Sequence, residues 1–274
     1  MKKLVSFALL LLMGSVFLSC SKDSEKTSLI EKIKKRGYIA VALEPGYMPF
    51  EMKTKKGELI GFDVEMTEKF AQKLGVTVKY KETAWDGIIP ALLTRDGDDD
   101  PIDVIISGMT ITEERSEKVN FTKPYFKTGQ AFFISKKSTK NIKSWEDLNQ
   151  TDIIIATKLG VTADITCKKL FPKATLKLFK TEADAGVEVM NGRADVMVYD
   201  QPYIASYVKA NAEFLTPFLT PFTDEPLGMA VRKKNTDLLE AANQFIEEFS
   251  KSPEYEAIYK KYFVDMPWFN DVEQ

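Results

Sequence analysis

Arg115 is the residue with the most chemical promise. Thr112 reads as the N-cap of a short helix, which puts Arg115 at the third helical position, where a capping box would place Glu or Gln. A cation at that position opposes the helix dipole. It becomes useful if an anion sits beside it, served by the guanidinium and the free backbone amides together. Two readings stay open on local sequence: a clamp for an anionic ligand, or a surface ion pair with Glu113, Glu114 or Glu117. Other reactive side chains collect just after strand-like segments. Glu44 and Tyr47 follow Tyr38–Leu43, and Trp85 follows Val76–Lys81. Ser107, Gly108, Met109 and Thr110 follow Ile102–Ile106. Lys158 and the stretch 160–162, with Val161 and Thr162, follow Ile153–Thr157, and Tyr199 and Asp200 close the strand that begins at Asp195. Ligands of open parallel sheets bind beyond the carboxyl ends of the strands. These positions therefore form one candidate cleft with aromatic faces, hydroxyls and both signs of charge.

What is missing narrows the chemistry. The chain has no histidine, which removes Ser-His-Asp and Cys-His catalysis and histidine-ligated metals. Lys and Arg number 38 against 40 acids, a net charge of -2, so the basic excess of a nucleic-acid binder is absent. The acidic run from Asp96 to Asp100 suggests calcium, but a calcium loop wants Gly at its sixth position and Glu at its twelfth, and Pro101 and Ser107 stand there. It reads as a solvated loop. No metal or cofactor is expected. Cys167 falls on a helical stretch and reads as an inert, buried thiol.

The elements that must position these residues follow from periodicity. Phe62, Met66, Phe70 and Leu74 recur every four residues, with Asp63 as an N-cap candidate and Gly75 behind them, which predicts an amphipathic helix. Ile88–Leu93 is predicted helical, capped by Asp86 with Pro90 in its first turn. Further helices are predicted over Thr162–Leu170, Thr181–Asn191, Thr236–Phe249 and Pro253–Tyr262, and a further strand over Thr175–Phe179. Strands alternating with helices imply parallel sheets covered on both faces. Two such series flank a β-rich stretch near Tyr125–Ser135, so two α/β lobes are expected.

The N-terminus carries its own signal. Lys2 and Lys3 precede an apolar run from Leu4 to Leu18, and Phe17-Leu18-Ser19-Cys20 ends it. The run is shorter than the roughly 20 residues that span a bilayer and has the pattern of a secretory leader. Residues 1–19 are read as a signal peptide, Cys20 as the site of lipidation, and residues 20–36 as the lipidated cysteine and its tether, the plainer alternative being an ordinary signal peptide cleaved nearby with Cys20 incidental. Phe17 departs from the usual small aliphatic residue of a lipoprotein signal. With Cys20 acylated, no intramolecular disulfide is possible.

The blocks Gly61–Val64, Trp85–Leu92, Ser107–Arg115, Phe121–Tyr125, Asn191–Val196 and Tyr255–Phe263 stand in order along the chain. Together they resemble the family 3, polar amino-acid-binding proteins of ABC transporters, from about Ile33 to Phe263. The Ser-Gly-Met-Thr-Ile-Thr-x-x-Arg block carries most of that likeness. The resemblance implies an α/β fold of two Rossmann-like lobes joined by two crossover strands, the type II periplasmic binding protein fold. Lobe 1 would be 37–124 plus 229–268, lobe 2 would be 130–223, and 125–129 and 224–228 the hinge, which closes on ligand. By resemblance, Arg115 pairs with the carboxylate of a free amino acid in a bidentate fork. Thr110 and the Thr162 amide add hydrogen bonds, and Asp200 with the Met109–Thr110 region holds the ammonium. Tyr47 and Trp85 sandwich the aliphatic part, and Glu44 and Lys158 read the side chain. Val161 stands where Thr or Ser is common, which removes one hydroxyl. Plainer roles stand beside these: Trp85 as core, Lys158 as a solvated cation, Glu44 as a helix cap. The implied partners are the permease subunits of an ABC importer and the membrane through the lipid anchor, with the protein a monomer. Two rivals share the fold: a dehydratase-like enzyme, which needs a protonated acid in the cleft with Glu44 as candidate, and a sensor input domain.

Overall fold

The computed structural model describes residues 28–97 and 99–272. The signal-peptide and Cys20 expectations lie outside the described residues. The chain opens with α1 (Leu29–Arg36), then β1 (Tyr38–Leu43), a hairpin of β2 (Met52–Lys53) and β3 (Leu59–Ile60), α2 (Phe62–Leu74), β4 (Thr77–Glu82), α3 (Trp85–Thr94), β5 (Val104–Ile105), α4 (Glu113–Lys118) and β6 (Asn120–Phe121). After β7 (Phe126–Thr128) come β8 (Gln130–Ser135), β9 (Ile154–Lys158), α5 (Thr162–Leu170), β10 (Thr175–Phe179), α6 (Glu182–Met190), β11 (Val196–Asp200), α7 (Gln201–Ala210) and β12 (Leu215–Phe218). The chain returns through β13 (Glu225–Leu227) and β14 (Ala230–Val231) and ends in α8 (Thr236–Phe249) and α9 (Pro253–Tyr259).

These strands form two five-stranded sheets, ordered β4-β1-β5-β14-β6 and β10-β9-β11-β8-β12. Each sheet makes one α/β lobe. The central pairings are parallel: β1 with β4 and β5, β9 with β10 and β11. The sheets are mixed rather than parallel throughout, because β14 runs against β5 and β6, and β8 against β11 and β12. The antiparallel strands are those joined to the crossings. Between the lobes the chain passes twice, through β7 and β13, which pair antiparallel from Glu225↔Thr128 to Leu227↔Phe126.

The lobe 1 sheet is covered on both faces. Along β1, Val41 joins the main core while Ala42 joins a smaller cluster with Ile88, Leu92, Ile105 and Met109. Helix α8 buries Leu238, Ala242, Phe245, Ile246 and Phe249, a stripe at helical spacing that faces the core.

Several local readings change in three dimensions. Residues 29–36, expected within a tether, form α1, which buries Ile33 and docks on α8 through Asp237, an acceptor for Ser28 Oγ (2.5 Å) and Ile30 N (3.0 Å). The charged residues around that apolar stripe disguised it. Lobe 1 continues past Trp268 to Val272, which bridges Thr54. Asp63 is not the cap of α2. The cap is Gly61, at φ 148, where a Cβ would stand 2.0 Å from the Phe50 carbonyl oxygen, so only glycine fits. Asp63 is instead fully buried and accepts from Gly108 N (2.7 Å) and Tyr125 Oη (2.6 Å). Asp86 does not cap α3 either: the helix starts at Trp85 and Pro90 lies inside it. The Trp85 amide is met by Glu44 Oε1 at 3.1 Å.

In the acidic stretch Asp96 pairs with Lys234, and Asp100 with Lys81 and Arg95. Among the described residues no acid cluster could hold a metal ion, and no helix is long and apolar enough to cross a membrane.

Candidate functional site

The carboxyl ends of β1, β5, β9 and β11 turn toward one another across the gap between the lobes. Glu44, Tyr47, Trp85, Ser107, Gly108, Thr110 and Arg115 from lobe 1 meet Lys158, Thr162 and Asp200 from lobe 2 around a single cavity. Met109 does not line it. Its side chain is fully buried in the smaller lobe 1 cluster, and its carbonyl accepts from Gly228 N at 3.0 Å. The remaining space is small, about 20 Å³ for the centre of a water-sized sphere, which is room for about one water.

Side chains of the two lobes touch across this space. Tyr47 Oη donates to Asp200 Oδ2 and Lys158 Nζ to Glu44 Oε2. Trp85 Nε1 donates to Gly160 O at 3.0 Å, and the Thr110 and Thr162 hydroxyls lie 3.5 Å apart. An amino acid enters only if these contacts part.

Arg115 sits where the Thr112 cap puts it: Thr112 Oγ1 accepts from Arg115 N at 3.2 Å. The guanidinium donates to Thr110 O at 2.9 Å and stacks 5.1 Å from the Trp85 ring. Glu113, Glu114 and Glu117 are exposed, and among the described residues Arg115 has no ion pair. Burial lowers its pKa, opposed by the charges of Glu225 and Asp200. A half-buried cation with no acid partner among the described residues favours an incoming anion.

Asp200 is buried at the end of β11. Tyr47 donates to one oxygen and Gln130 Nε2 to the other, at 2.5 Å. Burial, then the charge of Glu225, raises its pKa to about 7, against the lowering effect of those two bonds and of Arg115. A cation placed against it would recover the cost of burying its charge.

Lys158 bridges two acids. Its ammonium contacts Glu44 and lies 2.9 Å from Glu182 Oε2, with the Lys158 and Glu182 side chains each 5% exposed and that of Glu44 20%. Burial would lower the lysine pKa, but the two carboxylates outweigh it and the pKa rises. Glu44 thus holds Lys158 with one oxygen and the head of α3 with the other. Below it, Ser107 Oγ donates to Glu51 Oε1 at 2.7 Å and accepts from Glu44 N at 3.0 Å. Glu51 is 1% exposed, lines the cavity and leaves Oε2 without a hydrogen-bond partner among the described residues. Burial and the nearby Asp63 push its pKa well up. Gly108, at φ +50, lets the Tyr47 ring lie on the loop: a Cβ there would stand 2.2 Å from Tyr47 Cε1.

Residues 39–265 match the bacterial extracellular solute-binding proteins, family 3. The chain belongs to this family. It is 32% identical over 282 residues to the ABC transporter glutamine-binding protein of Bacillus subtilis (strain 168), covering 97% of this chain and 99% of that protein. It is 31% identical over 242 residues to the L-cystine-binding protein of Escherichia coli (strain K12), covering 88% of each. Among solved structures, a binding component of an ABC transporter from Wolinella succinogenes, complexed with lysine, superposes with a TM-score of 0.81 at 42% identity, covering 86% of this chain and 99% of that one. An ancestral amino acid-binding protein, described as a precursor of cyclohexadienyl dehydratase, superposes at 0.79 with 41% identity, covering 86% and 100%.

In this family 3 protein, three cavity or bridge residues, Gln130, Glu182 and Glu51, stand outside the cleft read from the sequence. Gln130 opens β8, which runs antiparallel beside β11, so its amino end lies at the same edge and pairs Gln130 with Asp200. Glu182 follows β10, whose register sets Phe179 against Lys158. That strand's end would have revealed it. Tyr199 lines the cavity one residue before Asp200. Glu51 sits in the turn after β1, where a buried acid leaves no pattern in the sequence.

Proposed function

We propose that this chain is a lipid-anchored extracytoplasmic receptor that captures a free polar amino acid between its lobes and delivers it to an ABC importer. The observation that carries this reading is the pair of Arg115 and Asp200 in one cavity: a half-buried guanidinium without an ion pair among the described residues, and a buried carboxylate whose pKa is raised by its burial. A zwitterion supplies the charge each of them lacks. Arg115 and Thr110 take the ligand carboxylate, and Asp200 takes the ammonium, displacing the Tyr47 hydroxyl. Trp85 and Tyr47 cover the aliphatic part, and Glu44 and Lys158 meet the side chain. Since the ligand bridges the lobes, it binds the closed form better and drives closure about the β7–β13 ribbon, at 125–129 and 224–228. The relatives named for glutamine and L-cystine, and the structure complexed with lysine, support a polar side chain. Residues 1–19 would be removed and Cys20 acylated. A single acyl chain holds only marginally, so firm anchoring needs the several chains of a lipoprotein.

The test is a melting screen over the twenty amino acids. A ligand at about 100 times its Kd stabilises by about 2.7 kcal/mol, which raises Tm by roughly 5–11 °C for a chain of this size. Arg115→Ala should abolish that shift. A flat screen, or a full shift in the variant, sinks the reading.

A second reading, loss of water and carbon dioxide together from a carboxylated cyclohexadienol to leave an aromatic ring, is favoured by Glu51 rather than Glu44. Glu44 is already an acceptor for Lys158 and Trp85 N, whereas Glu51 is the buried acid with a raised pKa in the cavity. Release of an aromatic product under single-turnover conditions, lost in Glu51→Gln, would establish it.

A further inference from the structure

A second cavity, of about 600 Å³, lies on lobe 1 away from the cleft, between α1, residues Asp96, Gly97 and Pro101, and the head of α8. That volume is in the range of small-molecule sites. Two of the side chains lining it are buried and carry hydrogen-bond donors with no hydrogen-bond partner among the described residues: Arg232 Nε and Asn235 Nδ2, on residues 4% and 7% exposed. The Arg232 guanidinium is fixed by Nη2, which donates to Arg95 O and Ile102 O, both at 2.6 Å, so Nε is held in place with its hydrogen unused. Its nearest acid oxygen, on Asp96, is 3.8 Å away, and Asp96 is engaged by Lys234. Asn235 heads the long helix α8, yet its side chain makes no capping bond. Lys32 also lines the cavity and, among the described residues, has no ion pair.

The acids of the cavity are already matched. Asp103 accepts from Arg36 and from Ala40 N at 2.7 Å. Asp237 accepts from Ser28 Oγ and Ile30 N. Among the described residues lining the cavity, four cations (Lys32, Arg36, Arg232 and Lys234) stand against three acids (Asp96, Asp103 and Asp237). What the cavity lacks is an acceptor with several oxygens. Each unpaired buried donor carries a desolvation cost that an acceptor would relieve, and the α8 dipole favours negative charge at the same place.

We infer that this cavity is a second binding site, for a phosphate group, free or carried by a lipid headgroup, with Arg232, Asn235 and Lys32 as its donors. Inorganic phosphate is titrated into the full chain by calorimetry at about 150 mM NaCl, where diffuse surface attraction is largely screened. Asn235→Leu removes a donor. Asn235→Asp keeps a helix-capping side chain, so it folds where leucine fails, but sets a carboxylate where the donor stood. Each variant, and Lys32→Gln, should weaken phosphate binding by about tenfold, the effect of losing a hydrogen bond to a charged group. The amino-acid-induced melting shift should stay unchanged. The lipid source is tested by co-sedimentation with phosphatidylglycerol vesicles. Phosphate binding that the variants weaken establishes the free anion. Vesicle binding that they weaken, without binding of inorganic phosphate, establishes a headgroup. Binding of neither, or binding that Asn235→Asp leaves intact, overturns the site.

Discussion

Replacing Lys158 with methionine tests the electrostatics of the cleft most directly. Methionine is nearly as long, so the change removes charge while leaving little cavity. It strands two carboxylates, one of them as buried as the lysine itself. Breaking a buried pair by deleting one partner costs about 3–5 kcal/mol. Glu44 is partly exposed and water takes up some of its loss, so the lower end of that range applies. About 3 kcal/mol corresponds to a fall in Tm of roughly 6–12 °C for a chain of this length. The same substitution should alter selectivity. Two carboxylates without a counter-ion recruit a cationic side chain, so the affinity for arginine or lysine should rise relative to glutamine by at least about tenfold, or 1.4 kcal/mol. Melting curves and calorimetry with the three amino acids measure both effects. Adding Glu182→Gln to the variant should recover part of the stability, because one stranded charge is gone. A Lys158→Met protein that melts within about 1 °C of the parent and keeps its arginine-to-glutamine ratio would refute the reasoning, and Lys158 would then be a solvated cation.

Arg115→Lys keeps the charge but loses the planar fork, so amino-acid affinity should fall about 10- to 150-fold, the equivalent of 1.5–3 kcal/mol. Its unliganded Tm should stay close to the parent's, since Arg115 has no acid partner among the described residues; an early melt with normal affinity would contradict the assignment. Gly108→Ala drives a Cβ into the Tyr47 ring at a positive φ and should cost about 1–3 kcal/mol in thermal unfolding, with unchanged stability counting against the packed Tyr47. Affinity should depend on pH through Asp200, whose folded pKa of about 7 lies above its ordinary value near 3.8. The ligand ammonium needs the carboxylate, so binding is full above pH 7 and weakens by up to about tenfold for each unit below it, a dependence that Asp200→Asn should abolish in calorimetry. The unliganded fold responds with the opposite sign. Asp200 and Asp63, also at about 7, bind protons in the folded state that the unfolded chain has released, so both contributions fall as pH rises from about 4 to 7, and a Tm that rises over that window would contradict them.

The sequence made most of the cleft legible because the C-terminal ends of parallel strands share one edge of a sheet. Glu44 and Ser107 each follow a strand, Lys158 and Asp200 each end one, and the topology gathers them without further information. The rule misses where its premise fails. β8 is antiparallel, so its first residue, Gln130, arrives at the edge where the others end. The acids show a different limit. Local reading gave Asp63 and Asp86 the capping role, and gave it to Glu44 only as the plainer alternative to reading a ligand side chain. In the structure Glu44 holds an amide at the head of α3, while Asp63 reaches into the Gly108 loop and the Tyr125 hydroxyl. A carboxylate caps whichever free amide it meets first in space, and for Glu44 that amide lies 41 residues along the chain. The same holds for Arg115. Its three acidic neighbours in sequence are exposed on α4, whereas its guanidinium lies against Trp85 and the Thr110 carbonyl. Sequence proximity favours the surface ion pair, and only the folding of the Thr110 loop beneath the helix leaves the cation unpaired at the cavity, where a ligand carboxylate can use it.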